Sequence, residues 1–286
     1  MVAAMTSRSS PAPFGRMIAL TLKCERANAD HPSMETAAAT FTGVFGAIIG
    51  SFLNVVVYRL PRRESIVKPA SHCTTCGARV MPYDNVPVLS WLLLRGHCRN
   101  CSAPISKRYP LVEALCGVLC VAAVLAGGST ATVALNVTFI LLLVPVALID
   151  LEHRIIPNQL TMLGAVLALG LGTALDPSGE PTRLIAGLAA GGALMAAALA
   201  YPGGMGMGDV KLAGVMGLFL GSAVAPAMLI ALLAGVLYGA LIVARKGARA
   251  GRKTAVPFGP FLAFGSLVAV FAGDPLVNWY TTTFLR

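Results

Sequence analysis

Two sets of residues in this chain have the types and spacing to do chemistry. The first is a pair of tight cysteine motifs, Cys73-Thr74-Thr75-Cys76 and Cys98-Arg99-Asn100-Cys101, with 21 residues between them. Four thiolates at that spacing suit one tetrahedral zinc ion, each pair forming a knuckle. No coordination position is left open, so the ion is structural. The halves HCTTCGARV and HCRNCSAPI repeat at an offset of 25 residues, which predicts two knuckle-then-strand units folded around it. His72 and His97 are spare beside four thiolates. A polar loop this poor in apolar residues depends on metal for much of its stability. The rival reading, two disulfides, is disfavoured on the cytoplasmic side of a membrane.

The second set is a pair of carboxylates. The chain has only twelve acidic residues. Asp150 closes the apolar run LLLVPVALID, and Asp209 follows GMGMG and opens another run. Ionisable groups beside membrane spans are costly and are functional candidates by default. Each has a plain reading: Asp209 as a helix N-cap, Asp150 as a solvated loop edge. Together they say more. Two carboxylates in one desolvated site titrate as a coupled pair. One can take a proton from water while the other protonates the leaving amine of an amide, the chemistry of aspartic proteases. Gly206 and Gly208 would let an extended substrate backbone approach closely. As a dinucleotide-binding fingerprint the glycines fail, because no strand precedes them.

The elements that must position these groups are membrane spans. Of 286 residues, 56% are hydrophobic and 12% charged, with a mean hydropathy of +0.76. A soluble domain carries roughly 25% charged residues. The fold class is therefore an all-α polytopic membrane protein, with about eight transmembrane helices and a small cytoplasmic zinc-knuckle loop domain. Spans are predicted near 37–60, 111–127, 131–150, 158–175, 183–201 and 257–273. The long run from Val210 to Arg245 is divided in two at GSAVAP. The organisation is a disordered tail (1–35), a first span (36–60), the cysteine loop (61–110), a membrane domain (111–275) and a C-terminal tail (276–286). Met34 is an alternative start.

Counting spans puts the 61–110 loop, the 150–158 loop, the 202–209 loop and RKGARAGRK (245–253) on one face. They hold most of the cations, so that face is cytoplasmic by the positive-inside rule. The net charge of +10 then reflects topology and calls for no nucleic acid. Cys116 and Cys120, an i, i+4 pair on an apolar helix, read as small core residues.

In order along the chain, GSFLNVVVYRLP (50–61), the double cysteine motif, RYPLVE (108–113), IDLEHRIIPN (149–158), GMGDVKL (206–212) and PFGPFLAFG (257–265) resemble the bacterial type IV prepilin peptidases, which are GxGD intramembrane aspartyl proteases. The resemblance implies that Asp150 and Asp209 are the catalytic pair. It implies a prepilin or pseudopilin substrate, cut after a glycine at the inner-membrane face. Members with the cysteine loop also N-methylate the new terminus with S-adenosylmethionine, and Gly96, Arg108 and Glu113, with Tyr109, match motif positions of that loop. Asn158 stands where many relatives carry an aspartate. Glu113 also has plain readings: a partner for Arg108, or a favourable charge at a helix start. PFGPFLAFG reads as a proline-set helix start with little functional weight. Two other functions fit intramembrane carboxylates or a zinc loop taken alone: an ion- or proton-coupled transporter, and a non-catalytic assembly factor.

Overall fold

The computed structural model describes residues 32–202, 204–247 and 256–284. Residues 1–31 of the tail expected at 1–35, and most of RKGARAGRK, lie outside them, and the last residues assigned to that tail, from Pro32, are already helix. Among the described residues the chain is helical, with isolated bridges as the only extended pairing. In chain order the helices are α1 (Pro32–Arg59), α2 (Leu89–Leu93), α3 (Arg108–Leu125), α4 (Thr130–His153), α5 (Asn158–Leu175), α6 (Glu180–Ala200), α7 (Met207–Leu220), α8 (Val224–Lys246) and α9 (Gly259–Phe284). All but the short α2 belong to runs long and apolar enough to cross a membrane, α7 and α8 forming one such run. The break predicted within that run falls at Gly221-Ser222-Ala223, where Gly221 takes φ +54°, a conformation that favours glycine. The expected C-terminal tail is instead helix: α9 continues through Pro275 to Phe284.

Local chemistry sets the ends. The Ser129 side chain accepts from the Thr132 backbone N–H and starts α4. Arg154, left-handed at φ 56°, stops it by returning its N–H to the Asp150 carbonyl at 2.9 Å. Arg245 and Lys246 lie in the last turn of α8, where the helix dipole favours cations.

Packing relies on close backbone approach at glycines, as expected where lipid removes the hydrophobic drive between helices. A Cβ on Gly46 of α1 would sit 2.7 Å from Cys120 Sγ, and one on Gly50 would sit 3.0 Å from Cys116 Cβ. Cys116 and Cys120 are thus small core residues at the α1–α3 contact, fully buried. Gly217 of α7 abuts the Ala186–Gly187 backbone of α6 in the same way. α4 contributes more to the core than any other helix, with Phe139, Ile140, Leu143, Val146 and Ile149 fully buried and Phe139 stacked on Phe219 of α7 at 4.7 Å.

Contacts sort the loops onto two ends. At one end Arg108 pairs with Glu152, Lys211 with Asn158, and Gly259 with Asp150. Those bonds gather the 61–110 and 150–158 connections with the starts of α7 and α9. At the opposite end buried Arg183 is bonded to Asp176 at 2.7 Å and to Glu180 at 2.9 Å. Arg183, on the face opposite the cation-rich loops, is therefore neutralised within the protein.

Candidate active site and metal centre

The two aspartates come from different helices and end up together. Asp150 sits in the last turn of α4 and is 5% exposed. Asp209 lies in the first turn of α7, within electrostatic reach of Asp150. It is not the helix cap that one plain reading made it. Gly206 is the N-cap, and Asp209 three residues later accepts the Gly206 backbone N–H, half of a capping box.

Asp150 is at a helix C-terminus, where carbonyl dipoles oppose a negative charge. Its Oδ2 accepts the Gly259 backbone N–H at 2.9 Å, at the start of α9. The positive end of one helix thereby offsets the negative end of another. A Cβ on Gly259 would lie 2.7 Å from that same oxygen, so only glycine fits. Sequence reasoning gave PFGPFLAFG little weight and missed this contact. A glycine between two prolines just before an apolar run was the available signal.

The two loop glycines differ. A Cβ on Gly208 would meet Ile156 Cβ at 2.9 Å. Its bareness serves the IIPN turn, which packs on α7 and carries the end of α4 towards Asp209. Gly206 is exposed, and a Cβ there would meet only Asp209 Oδ2, at 3.3 Å, and a backbone nitrogen at 4.0 Å. Lys211 ties the same two segments by donating to Asn158 Oδ1 at 2.8 Å.

The cysteine loop forms two matching turns. The Cys73 N–H bonds the Ala78 carbonyl and the Cys98 N–H bonds that of Ala103, each at 2.8 Å. The Gly77 and Ser102 N–H groups return to Cys73 and Cys98, each at 2.9 Å. Instead of the strands expected after each knuckle there are single bridges, His72 to Arg79 and His97 to Pro104, again 25 residues apart. Each turn is too short to extend a ladder. All four sulfurs lie within 4.8 Å of one another, with Cys73 and Cys101 Sγ 3.8 Å apart. Tetrahedral metal–sulfur bonds of about 2.3 Å put sulfurs roughly 3.8 Å apart, so this cluster could hold a metal ion. Backbone N–H groups of Cys76 and Thr75 bring Cys73 down to about 6. At Cys101 the Ala103 N–H favours the thiolate, but the neighbouring sulfurs and burial win and push it up to about 12. Four crowded thiols resist joint ionisation until a cation joins them. His72 and His97 turn their Nδ1 atoms to local carbonyls and stay out of the cluster.

Gly96, Arg108 and Glu113 are all engaged in holding this loop. Gly96, at φ +71°, leaves no room for a Cβ, which would be 2.7 Å from the Trp91 ring. Trp91, another residue that sequence reasoning missed, donates its indole N–H to the Ile105 carbonyl at 3.1 Å. Glu113 is buried and accepts the Val88 N–H at 2.7 Å; it does not pair with Arg108, which reaches Glu152 on α4. The Tyr109 carbonyl accepts from Asn54 of α1 at 3.2 Å.

With this geometry in hand, the chain was compared with known proteins. The model of the bacterial peptidase A24 N-terminal domain matches residues 44–126, and that of the type IV leader peptidase family matches residues 137–243. A prepilin leader peptidase/N-methyltransferase of Aeromonas hydrophila is 35% identical, with 85% of this chain and 93% of that protein covered. The chain belongs to the type IV leader peptidase family. Relatives of the same description come from Myxococcus xanthus (39% identical, 76% of this chain, 66% of the relative) and Bacillus subtilis (34%, 83%, 95%). No solved structure matches. Both family segments are present, one around the cysteine loop and one around the aspartates. As a leader peptidase family member the protein is an enzyme, which removes the transporter and assembly-factor readings.

Proposed function

We propose that this protein is a membrane-embedded aspartyl endopeptidase that removes the leader of type IV prepilins or type II secretion pseudopilins. Asp150 and Asp209 would form its catalytic pair. The observation that carries this is their approach at one membrane edge, in a chain of this family. One carboxylate takes a proton from a water whose oxygen attacks the scissile carbonyl. The other gives its proton to the amide nitrogen, and the peptide bond breaks into a free acid and a free amine. Gly259 and Gly206 each supply one backbone N–H that fixes a carboxylate oxygen for this exchange. α7 has 14 residues, about 21 Å at 1.5 Å per residue, against a hydrocarbon core of about 30 Å. If its far end reaches the opposite boundary, Asp209 is recessed into the membrane, where the cut before a hydrophobic segment must be made. The cation-rich loops support a cytoplasmic placement of this end.

The four-cysteine cluster is read as a structural zinc site of Cys73, Cys76, Cys98 and Cys101, which cross-links the two turns when the ion is bound. The relatives' description supports a second activity, N-methylation of the new terminus with S-adenosylmethionine. Gly96, Arg108 and Glu113 shape or tie down the loop that would carry this activity. Their observed contacts are architectural, and no step is derived through the donor.

The test is to express a prepilin with the wild type, Asp150→Asn or Asp209→Asn in a strain lacking its own peptidase, and to weigh the pilin. Leader loss with the wild type and retention with both variants supports the pair. Normal processing by either variant overturns it.

A further inference from the structure

The cysteine lobe carries a surface that neither the peptidase chemistry nor metal binding uses. α2 has five residues, Leu89-Ser90-Trp91-Leu92-Leu93, and its inner side is fully engaged. Ser90 accepts from the Val86 N–H and donates to the Tyr83 carbonyl, both at 3.0 Å, and Trp91 bonds Ile105. Its outer side is leucine: Leu89, Leu92 and Leu93 are 59%, 57% and 83% exposed.

The height of α2 is set by the Val88–Glu113 bond. Glu113 lies five residues into α3, roughly 7 Å from that helix's start at 1.5 Å per residue. α3 has 18 residues, about 27 Å, and needs nearly all of them to cross a core of about 30 Å. A helix that needs its whole length to span puts Glu113, and with it Val88, roughly 7 Å inside the hydrocarbon edge, at the level of the upper acyl chains. Leu111 and Leu115, on either side of Glu113 in sequence, are themselves exposed and already belong to the lipid-facing wall of α3. The leucines of α2 are held near that level by the Val88–Glu113 bond, and the exposed cations Arg95 and Lys107 follow them in sequence.

We infer that residues 87–95 form an interfacial lipid anchor, with Leu89, Leu92 and Leu93 among the upper acyl chains and Arg95 and Lys107 at anionic headgroups. An apolar face rimmed by cations and lying in the plane of the boundary is the pattern of monotopic attachment. The anchor would hold the four-cysteine lobe flat on the membrane beside the aspartates. It rests on the membrane topology alone, so it stands or falls independently of the peptidase reading.

A trifluoromethyl-phenylalanine placed at Leu93 by amber suppression gives a single fluorine probe in the full-length protein, reconstituted in vesicles of phosphatidylethanolamine and phosphatidylglycerol. Nitroxide carried near the lipid glycerol should broaden its signal several-fold more than a soluble gadolinium chelate does. Adding Leu89→Asp and Leu92→Asp should reverse that order, while retained metal content shows that the lobe is still folded. Broadening by gadolinium alone in the parent would place the lobe in water. Insensitivity to both agents would mean that protein, such as a second copy, covers the surface. Unchanged lipid contact in the double-aspartate variant would show that the leucines anchor nothing. Each of these three results overturns the inference.

Discussion

The Asp150 carboxylate, at the C-terminal end of α4, is held by the backbone N–H of Gly259 at the N-terminal end of α9, 109 residues away. A positive helix end thus meets a carboxylate that its own helix disfavours. Gly259→Ala would put a methyl 2.7 Å from Oδ2 and push the carboxylate aside. Small misplacements of a reacting group cost on the order of 100-fold in rate. Cleavage by this variant should fall 10- to 100-fold, an order-of-magnitude expectation, with little change in melting temperature. Wild-type turnover would mean that the bond is incidental.

The glycines of the GxGD stretch should not behave alike. Gly208→Ala drives a methyl into Ile156 and should lower both stability and cleavage, and Ile156→Ala in the same chain should restore part of each. Gly206→Ala, at φ −78° and ψ 142°, has an allowed backbone and should fold normally. The check is a double-mutant cycle on melting temperature and cleavage rate.

At the far end, Arg183→Ala would leave the Asp176 and Glu180 carboxylates without their cation. Glu180 is well buried, so leaving it without its cation is destabilising, whereas the partly exposed Asp176 contributes little. Thermal unfolding in micelles should show the loss, and cleavage measured well below the transition should be unchanged. The Arg183 guanidinium holds the Asp176 carboxyl below its ordinary range, so this support is complete above the ordinary carboxylate pKa. It is lost as pH falls through the lowered value.

Arg108 and Glu152 are both partly exposed, and such pairs are worth about 0–1 kcal/mol. Arg108→Ala should therefore shift the melting temperature little. Any larger loss of methylation would come from movement of the loop relative to α4, and the exchange Arg108→Glu with Glu152→Arg should recover it.

On the proposed metal reading, Cys73→Ser should abolish stoichiometric metal binding and expose residues 61–107 to protease, because a bound ion would supply the loop's cohesion. Leader removal should persist, since no cysteine of the cluster belongs to the aspartate site. Elemental analysis with limited proteolysis decides the first point, and pilin mass the second.

Several features were legible in the sequence because they depend on local composition or spacing. Apolar run lengths define the spans, and the glycine at 221 marks the break between α7 and α8. The two C-x-x-C motifs at a 25-residue repeat define two like turns around one cluster. Span parity puts both aspartates at one end.

The remainder was decided by tertiary structure, because it consists of contacts between segments with no common period. Asp209 is a third-position acid and not a cap because Gly206 takes the cap. Gly208 is bare for Ile156, Glu113 turns to Val88 while Arg108 turns to Glu152, and Gly259 closes on Asp150 from the last helix. Composition and spacing say which groups can do chemistry. Only the packed chain says which backbone N–H meets which carboxylate, because a contact about 3 Å long between residues more than a hundred apart leaves no trace in either segment alone.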